Sequence, residues 1–462
     1  MHVIDVSIVV SYLLVCLILG CKKFGQVKTL QEYALGTKSF TTSVLIATVF
    51  ATAINAFRTV GYVGTTYKLG IVFIATMCFI PIWWFVMARL LANNLNFFRQ
   101  KNFMTLGDIM EHWYGKLGRH ITSVAAIFLT LGITAVSNIA IGDLVHFLFG
   151  VPKFIGIMLA MIIVTAYSTF GGLRAVAFTD VFQFLVFFIA LPIVCAIGLQ
   201  DVGGFKNMLN SLPETHLKIG SENIGLFLSL LVYAIVPNAD IPHIQRALVA
   251  KNGHQLRTTF SVAAMLMIPL YAMIALIGLI TYIKAPDIDP EYALFYFTKY
   301  YLPVGAFGLM IAGLLAIIMS TQDSFLNSTS VLISRDICKQ IWPKLNTKRE
   351  LLIARSSCIV LSVLSISLAF VKEDIVSLIW SVANFWDPFV VVPFVMALIG
   401  VRINKKLFFI IPIITLITQV ITYSIVGKFG AKSFAVGLIT AIIVTFVVSR
   451  FDDKQAQEEA AW

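Results

Sequence analysis

Thirteen apolar runs alternate with short polar segments along the chain, at roughly 5–20, 43–65, 70–92, 120–148, 152–169, 176–199, 225–246, 259–283, 304–331, 352–371, 375–400, 407–427 and 432–449. About 20 predominantly apolar residues cross the hydrocarbon core of a bilayer as a helix. The pattern therefore predicts an all-α polytopic membrane protein of about 13 transmembrane helices, forming one transmembrane domain over 1–462. The polar gaps near 93–119, 200–224 and 332–351 are too short for an appended soluble domain. The first run has the length of a signal peptide. It has no basic segment before it, however, and its positive charges, Lys22 and Lys23, follow it. That order describes an uncleaved anchor with its N-terminus outside.

Composition narrows the function classes. Of the 462 residues, 59% are hydrophobic and 12% charged, whereas soluble domains carry about 25% charged residues. An ordinary soluble enzyme, a nucleic-acid-binding domain, a disordered chain and a coiled coil are excluded. The formal net charge of +11 reads as topology. With the N-terminus outside, the outer segments hold Lys68, Lys153, Lys206, Lys218, Lys284, Lys299, Lys372, Lys428 and Lys432. Arg58 falls inside a span, and the rest of the 34 basic residues lie in cytosolic segments, Arg246 among them. Basic residues gather on the cytosolic side. The expectation is a multi-pass protein of the cell (plasma or inner) membrane with a cytoplasmic C-terminus and no nucleic-acid partner; its oligomeric state is not encoded in this pattern. The six cysteines show neither an outer-loop pairing nor a CxxC spacing, so no disulfide framework or zinc site is expected. No nucleophile with a His/Asp partner and no phosphate-binding glycine loop suggests an enzyme.

Three stretches carry more than hydropathy. In the first, Gly171-Gly172 is followed by Thr179, Asp180 and Gln183. A Gly-Gly turn joins two helices tightly, and Asp180 and Gln183 share one face of the next helix. The second runs from Gly313 through Met319, Ser320, Thr321, Asp323, Ser324, Asn327 and Ser328 to Arg335 and Asp336. The third is Gln245-Arg246-Ala247 in the seventh span, which also holds Pro237 and Pro242 around Asn238 and Asp240. Two prolines five residues apart remove amide donors and clash with the preceding turn. Lipid tolerates such a break only around a cavity or an ion. The second span carries a fainter signal, the polar run from Thr52 to Asn55 followed by Gly61 and Gly64. Paired interruptions of this kind point to a binding site at the midplane.

Together with Glu32-Tyr33, Gly36, Thr105-Leu106 and Tyr114-Gly115, these stretches resemble the sodium:solute symporter family, whose members include sodium–sugar, sodium–proline and sodium–pantothenate transporters. The resemblance runs over nearly the whole chain. It implies a five-plus-five inverted repeat over 43–200 and 225–400, with the second and seventh spans broken at the midplane. An extra N-terminal helix and cytosolic loop fill 1–42, and two C-terminal helices with a short tail fill 401–462. It further implies sodium-coupled import of a small polar solute, with sodium as the co-transported ion.

Candidate ligands follow. Ile317, Ser320 and Thr321 stand at i, i+3 and i+4 and so line one helical face. The resemblance adds the carbonyls of Ala51 and Ile54 to complete a core sodium shell of five neutral oxygens. On residue chemistry alone, Ser320 and Thr321 equally serve to pack helices and back-bond to carbonyls. Asp180, Ser320, Asp323 and Ser324 are candidates for a second sodium, with structural hydrogen bonding or a helix cap as the alternative. Arg58 lies inside a span, where it is costly, and its partner is either Asp240 or an anionic solute. Asn55, Asn138, Asn238, Asn384 and Asp387 complete the expected solute contacts. If Arg58 meets the solute, the solute carries a carboxylate, and a zwitterion fits if Asp240 also faces the cavity. A proton-coupled carrier using Asp180, Asp323 or Asp240 and a membrane sensor without transport remain the alternatives.

Overall fold

Helices account for the architecture, and no strand occurs among the residues that this computed structural model describes, 2–22, 25–36, 40–237, 239–371, 374–401 and 403–459. The main helices are α1 (Val3–Cys21), α2 (Thr42–Ala53), α3 (Tyr62–Leu69), α4 (Ile80–Gln100), α5 (Leu106–Phe149), α6 (Lys153–Asp201), α7 (Ile224–Ala234), α8 (Ile241–Val249), α9 (Gly253–Lys284), α10 (Ala306–Leu332), α11 (Thr347–Val371), α12 (Ile375–Trp386), α13 (Val392–Leu398), α14 (Ile410–Val426) and α15 (Ala431–Glu459). Among the described residues nine helical stretches are long and apolar enough to cross a bilayer, or up to ten with the bent pair Thr42–Ala53 and Phe57–Leu69 taken as one span. Ser221–Ala234 and Ile410–Val426 are shorter apolar helices.

The expected runs 152–169 and 176–199 both fall in α6, a helical stretch of 49 residues. At 1.5 Å per residue that is roughly 74 Å, more than twice the ~30 Å hydrocarbon thickness. Gly172 interrupts it at φ 60° and ψ −168°. A Cβ there would stand 3.0 Å from both the Cα and the carbonyl oxygen of Tyr33. Both the left-handed backbone and the close approach require glycine.

At the centre stands α10, which packs on α6, α5, α1, α11 and α2. Its most apolar window is 94% buried, against 22% for α1. Its row of Gly313, Ala316, Ser320, Ser324 and Ser328 explains the close approach, since small residues let helix backbones meet. At its start, Asp5 of α1 accepts the amides of Gly305 (2.8 Å) and Gly308 (2.9 Å). A carboxylate is favoured there because the first turn of a helix leaves amide donors unsatisfied. Past its other end, Asp336 Oδ1 meets Arg119 Nη1 (3.2 Å) and Thr105 Oγ1 (3.0 Å) of the α5 region. Asp108, in the capping box that opens α5, bonds both Arg119 (2.8 Å) and Arg335 (3.3 Å). This ion network ties the first turns of α5 to the far end of α10.

The turn Pro290–Tyr292 lies against α3, since a Cβ on Gly64 would collide with Pro290 O. The turn is outside the spanning helices. Burial, a hydrogen bond shared with Asp374, and the charges of Asp374, Asp289 and Asp143 push Glu291 from the ordinary 4.5 up to about 8. A raised carboxyl pKa means that the folded state holds the extra proton. The associated stability is complete below about 4.5 and lost as pH rises through about 8. The thermal midpoint of the purified protein is expected to fall across this window, and Glu291→Gln to flatten that fall. An unchanged pH profile in the variant would assign the dependence to another group.

Candidate functional site

The site begins with an interrupted helix. At the end of α2, Ile54 takes extended backbone (φ −97°, ψ 111°). The chain resumes as the π-turn Phe57–Gly61 and α3, bent 64° from α2. Carbonyls at the end of α2 thereby lose the amides that a continuing helix would offer them. Side chains take their place. Ser320 Oγ donates to Ala51 O (3.0 Å) and to Ile317 O (3.1 Å). Thr321 Oγ1 reaches Ile54 O (3.3 Å) and Ile317 O (3.2 Å). Arg58 Nη1 donates to Ala53 O (2.7 Å), and the Arg58 amide to Asn55 Oδ1 (2.8 Å).

The structure thus brings together all five oxygen donors expected at the core site: the carbonyls of Ala51, Ile54 and Ile317, and the hydroxyls of Ser320 and Thr321. The two hydroxyls link the end of α2 to the middle of α10, and both residues are fully buried. Three carbonyls and two hydroxyls are hard, neutral oxygen donors. Such a set suits a small monovalent cation that must bind and leave, and it lacks the carboxylates typical of calcium cages.

Beside this cluster lies a second one. Asp180 Oδ2 accepts from Thr48 Oγ1 and from Arg246 Nη2 (3.4 Å). Arg246 Nη2 also donates to Ser324 Oγ (2.6 Å), which lies 3.0 Å from Thr52 Oγ1 and 3.2 Å from Asp323 Oδ1. Tyr167 OH donates to Asp323 Oδ2 (2.7 Å). Asp180, Asp323 and Ser324 are thus brought together with a guanidinium sharing their space, while the Ser320 hydroxyl is turned to Ala51 O and Ile317 O. Arg246 is a correction to the sequence reading, which counted it with the cytosolic charges. It is 1% exposed. The reason is the break before α8, which sends this helix back into the core, where Gln245 Nε2 binds Ala34 O (2.7 Å). Thr48, Tyr167 and Arg246 were missed as site residues. The signal available was the placement of Gln245-Arg246 only three residues after Pro242.

Between the two broken helices, α4, α5 and α12 lies a cavity of about 70 Å³. Asn55, Arg58, Trp84, Tyr233, Asp240, Trp386 and Asp387 line it. Four of the expected solute contacts are thus gathered, and the aromatic walls were not foreseen. Two others are placed elsewhere. Asn138 is fully buried against α10 and α11, where it accepts from Gln322 Nε2 (2.8 Å) and donates to Ser365 Oγ (3.3 Å). Asn384 turns back onto Trp380 O (2.7 Å), and its carbonyl accepts from Gln419. Neither is a cavity-lining residue: the Asn138 amide is engaged on both sides within the helix packing, while the Asn384 side chain bonds only through its nitrogen and its Oδ1 is buried without a hydrogen-bond partner. Asn238 lies outside the described residues.

The sequence pattern that defines the Sodium:solute symporter family matches residues 33–414. The chain belongs to the sodium:solute symporter family. Membership makes the protein a multi-pass membrane transporter that couples sodium to a small-molecule solute, rather than an enzyme. Its similarity to individual family members is even. It is 24% identical to a sodium/glucose cotransporter of Vibrio parahaemolyticus over 79% of this chain and 74% of that one. It is equally 24% identical to sodium/proline symporter 2 of Staphylococcus saprophyticus, over 96% of this chain and 92% of that one. Among solved structures, the symporter's fold resembles a substrate-bound, outward-open Na+-coupled sialic acid symporter. The TM-score is 0.84 at 17% identity, covering 97% of this chain and 98% of that one.

The buried Arg246–Asp180 pair in this symporter yields a stability test. Removing one partner of a buried pair costs about 3–5 kcal/mol, while replacing both by apolar residues is often near neutral. Arg246→Met is expected to lower the thermal midpoint and the monodisperse yield sharply, and Arg246→Met with Asp180→Leu to recover most of both. Equal stability in wild type and single variant would show that the pair is not held as a buried ion pair.

Proposed function

We propose that the symporter imports a small carboxylate-bearing solute together with sodium by alternating access. In this reading the chain has thirteen spans, an outer N-terminus and a cytoplasmic C-terminus. The second to sixth and seventh to eleventh spans form an inverted repeat. Sodium is held by Ala51, Ile54, Ile317, Ser320 and Thr321, and the solute by Asn55, Arg58, Asp240 and Asp387. One observation carries the reading: Ala53, Ile54 and Asn55, three consecutive residues of one helix break, serve Arg58, the sodium shell and the cavity respectively. Filling either site therefore fixes the same short piece of backbone.

The available driving force suits the task. At about 100 mV one entering positive charge gains roughly 2.3 kcal/mol, and a tenfold sodium gradient adds about 1.4 kcal/mol. A singly anionic solute cancels the voltage contribution of one sodium. The second cluster supplies a remedy, because Asp180 and Asp323 together exceed Arg246 by one negative charge. A second sodium at Asp180, Ser320, Asp323 and Ser324 would balance it and restore inward charge movement.

The test is uptake by proteoliposomes as sodium is replaced by choline at fixed pH. Uptake is expected to require sodium, with a Hill coefficient near two. Ser320→Ala with Thr321→Ala should raise the half-saturating sodium concentration by at least about tenfold, roughly the loss of 1.4 kcal/mol of binding. Asp323→Asn should bring the Hill coefficient toward one. Full uptake in choline that follows a pH gradient would establish proton coupling instead. Unchanged sodium dependence in the double variant would remove the core-site assignment.

A further inference from the structure

Arg246 stands where four helices meet. Its guanidinium leaves α8, the short helix after the second break, and reaches three others. Nη2 donates to Ser324 Oγ of α10 (2.6 Å) and to Asp180 Oδ2 of α6 (3.4 Å), and Nε donates to Thr48 Oγ1 of α2 (3.3 Å). Nη1 stays with its own helix, on Pro242 O (3.3 Å) and Gln245 Oε1 (3.4 Å). The Ser324 hydroxyl is thereby used up. A serine hydroxyl offers one proton and two lone pairs. The proton goes to Asp323 Oδ1 (3.2 Å), one lone pair takes Arg246, and the other faces Thr52 Oγ1 (3.0 Å). Ser324 cannot ligate a cation until one of these contacts gives way. Asp180 Oδ1, by contrast, is buried with no hydrogen-bond partner among the described residues. It belongs to the carboxylate that Arg246 already holds by its other oxygen. A guanidinium fork fits both oxygens of a carboxylate.

We propose that Arg246 is a tethered competitor of sodium: when sodium enters the second cluster, the guanidinium gives up Ser324 Oγ and closes onto both oxygens of Asp180. This rests on the reading of Asp180, Ser320, Asp323 and Ser324 as a second sodium site, and adds to it the group that sodium displaces. A carboxylate accepts at about four positions, so Asp180 Oδ1 keeps a lone pair for the ion while it receives the fork. Each cation then has its own carboxylate, the guanidinium at Asp180 and the ion at Asp323 beside Ser324. The competition weakens the site, since sodium must break a charge-assisted hydrogen bond to enter. It also carries the binding event to the second broken helix. Without sodium, α8 is tied to α10 through Arg246 and Ser324, and with sodium it loses that tie. The two sodium ions thus act on separate breaks, one at the end of α2 and the other through α8.

The test counts radiolabelled sodium bound to the purified full chain in lipid nanodiscs, with choline replacing sodium in the titration. Wild type is expected to bind two ions per chain and Asp323→Asn one, which identifies the second class of site. The deciding variant is Arg246→Lys, which keeps the charge but replaces the fork by a single ammonium. Competition for Ser324 predicts that this variant tightens the second class by at least about tenfold, the worth of a hydrogen bond to a charged group. An effect of charge alone predicts no change. An unchanged or weakened second class in Arg246→Lys overturns the competition and leaves the second-sodium reading standing. One ion per chain in both wild type and Asp323→Asn removes the second-sodium reading and the competition with it. Should Arg246→Lys fold poorly in choline, its thermal midpoint across a sodium titration decides instead. Competition predicts a larger sodium-induced rise than in wild type, and an equal or smaller rise overturns it.

Discussion

Breaking a helix inside a bilayer exposes backbone carbonyls that lipid cannot satisfy, and the rest of this structure is organised around that constraint at the end of α2. The loose carbonyls point at three different partners. Ala51 O and Ile54 O meet the hydroxyls of Ser320 and Thr321, and Ala53 O meets Arg58. The most enclosed of the long spanning helices, α10, is rich in small and hydroxyl-bearing residues where it approaches the break. A bulky apolar face in its place would leave the carbonyls without partners. α10 answers the break, and the same hydroxyls and carbonyls are the shell proposed for sodium.

Charge follows the same geometry. The core shell is neutral, so a sodium ion there adds a full positive charge to its surroundings. Two neighbouring groups have one more carboxylate than guanidinium: Asp240 and Asp387 with Arg58, and Asp180 and Asp323 with Arg246. In the proposed account the balancing positive charges are those of sodium, and a sodium ion that leaves alone strands a buried negative charge.

What the sequence made legible depended on whether side chains or backbone carried the signal. The hydroxyls of Ser320 and Thr321 were readable because helical period places them on one face. The carbonyls of Ala51 and Ile54 have no side-chain signature and entered through family resemblance. The prolines around Asp240 marked the break before α8. Arg246 was overlooked despite them, because an arginine near the end of an apolar run looks like a loop charge until the fold turns its helix inward. Asn138 and Asn384 looked like solute ligands because they are polar residues in spans, but Gln322, Ser365, Trp380 and Gln419 engage them within helix packing. The aromatic side of the cavity was invisible because Trp84, Tyr233 and Trp386 come from three separate helices, each reading as ordinary apolar sequence.

Hydrogen–deuterium exchange of the backbone around the α2 break, followed in purified protein with sodium and then with choline, tests the central claim most directly. If sodium is bound by Ala51, Ile54, Ile317, Ser320 and Thr321, it holds this backbone closed. Amides in the segment from Thr52 to Thr59 should then exchange at least about tenfold more slowly in sodium, since binding to the closed form suppresses local opening. Ser320→Ala with Thr321→Ala should erase the difference. Equal exchange in sodium and choline, or sodium protection that survives the double variant, would contradict the account.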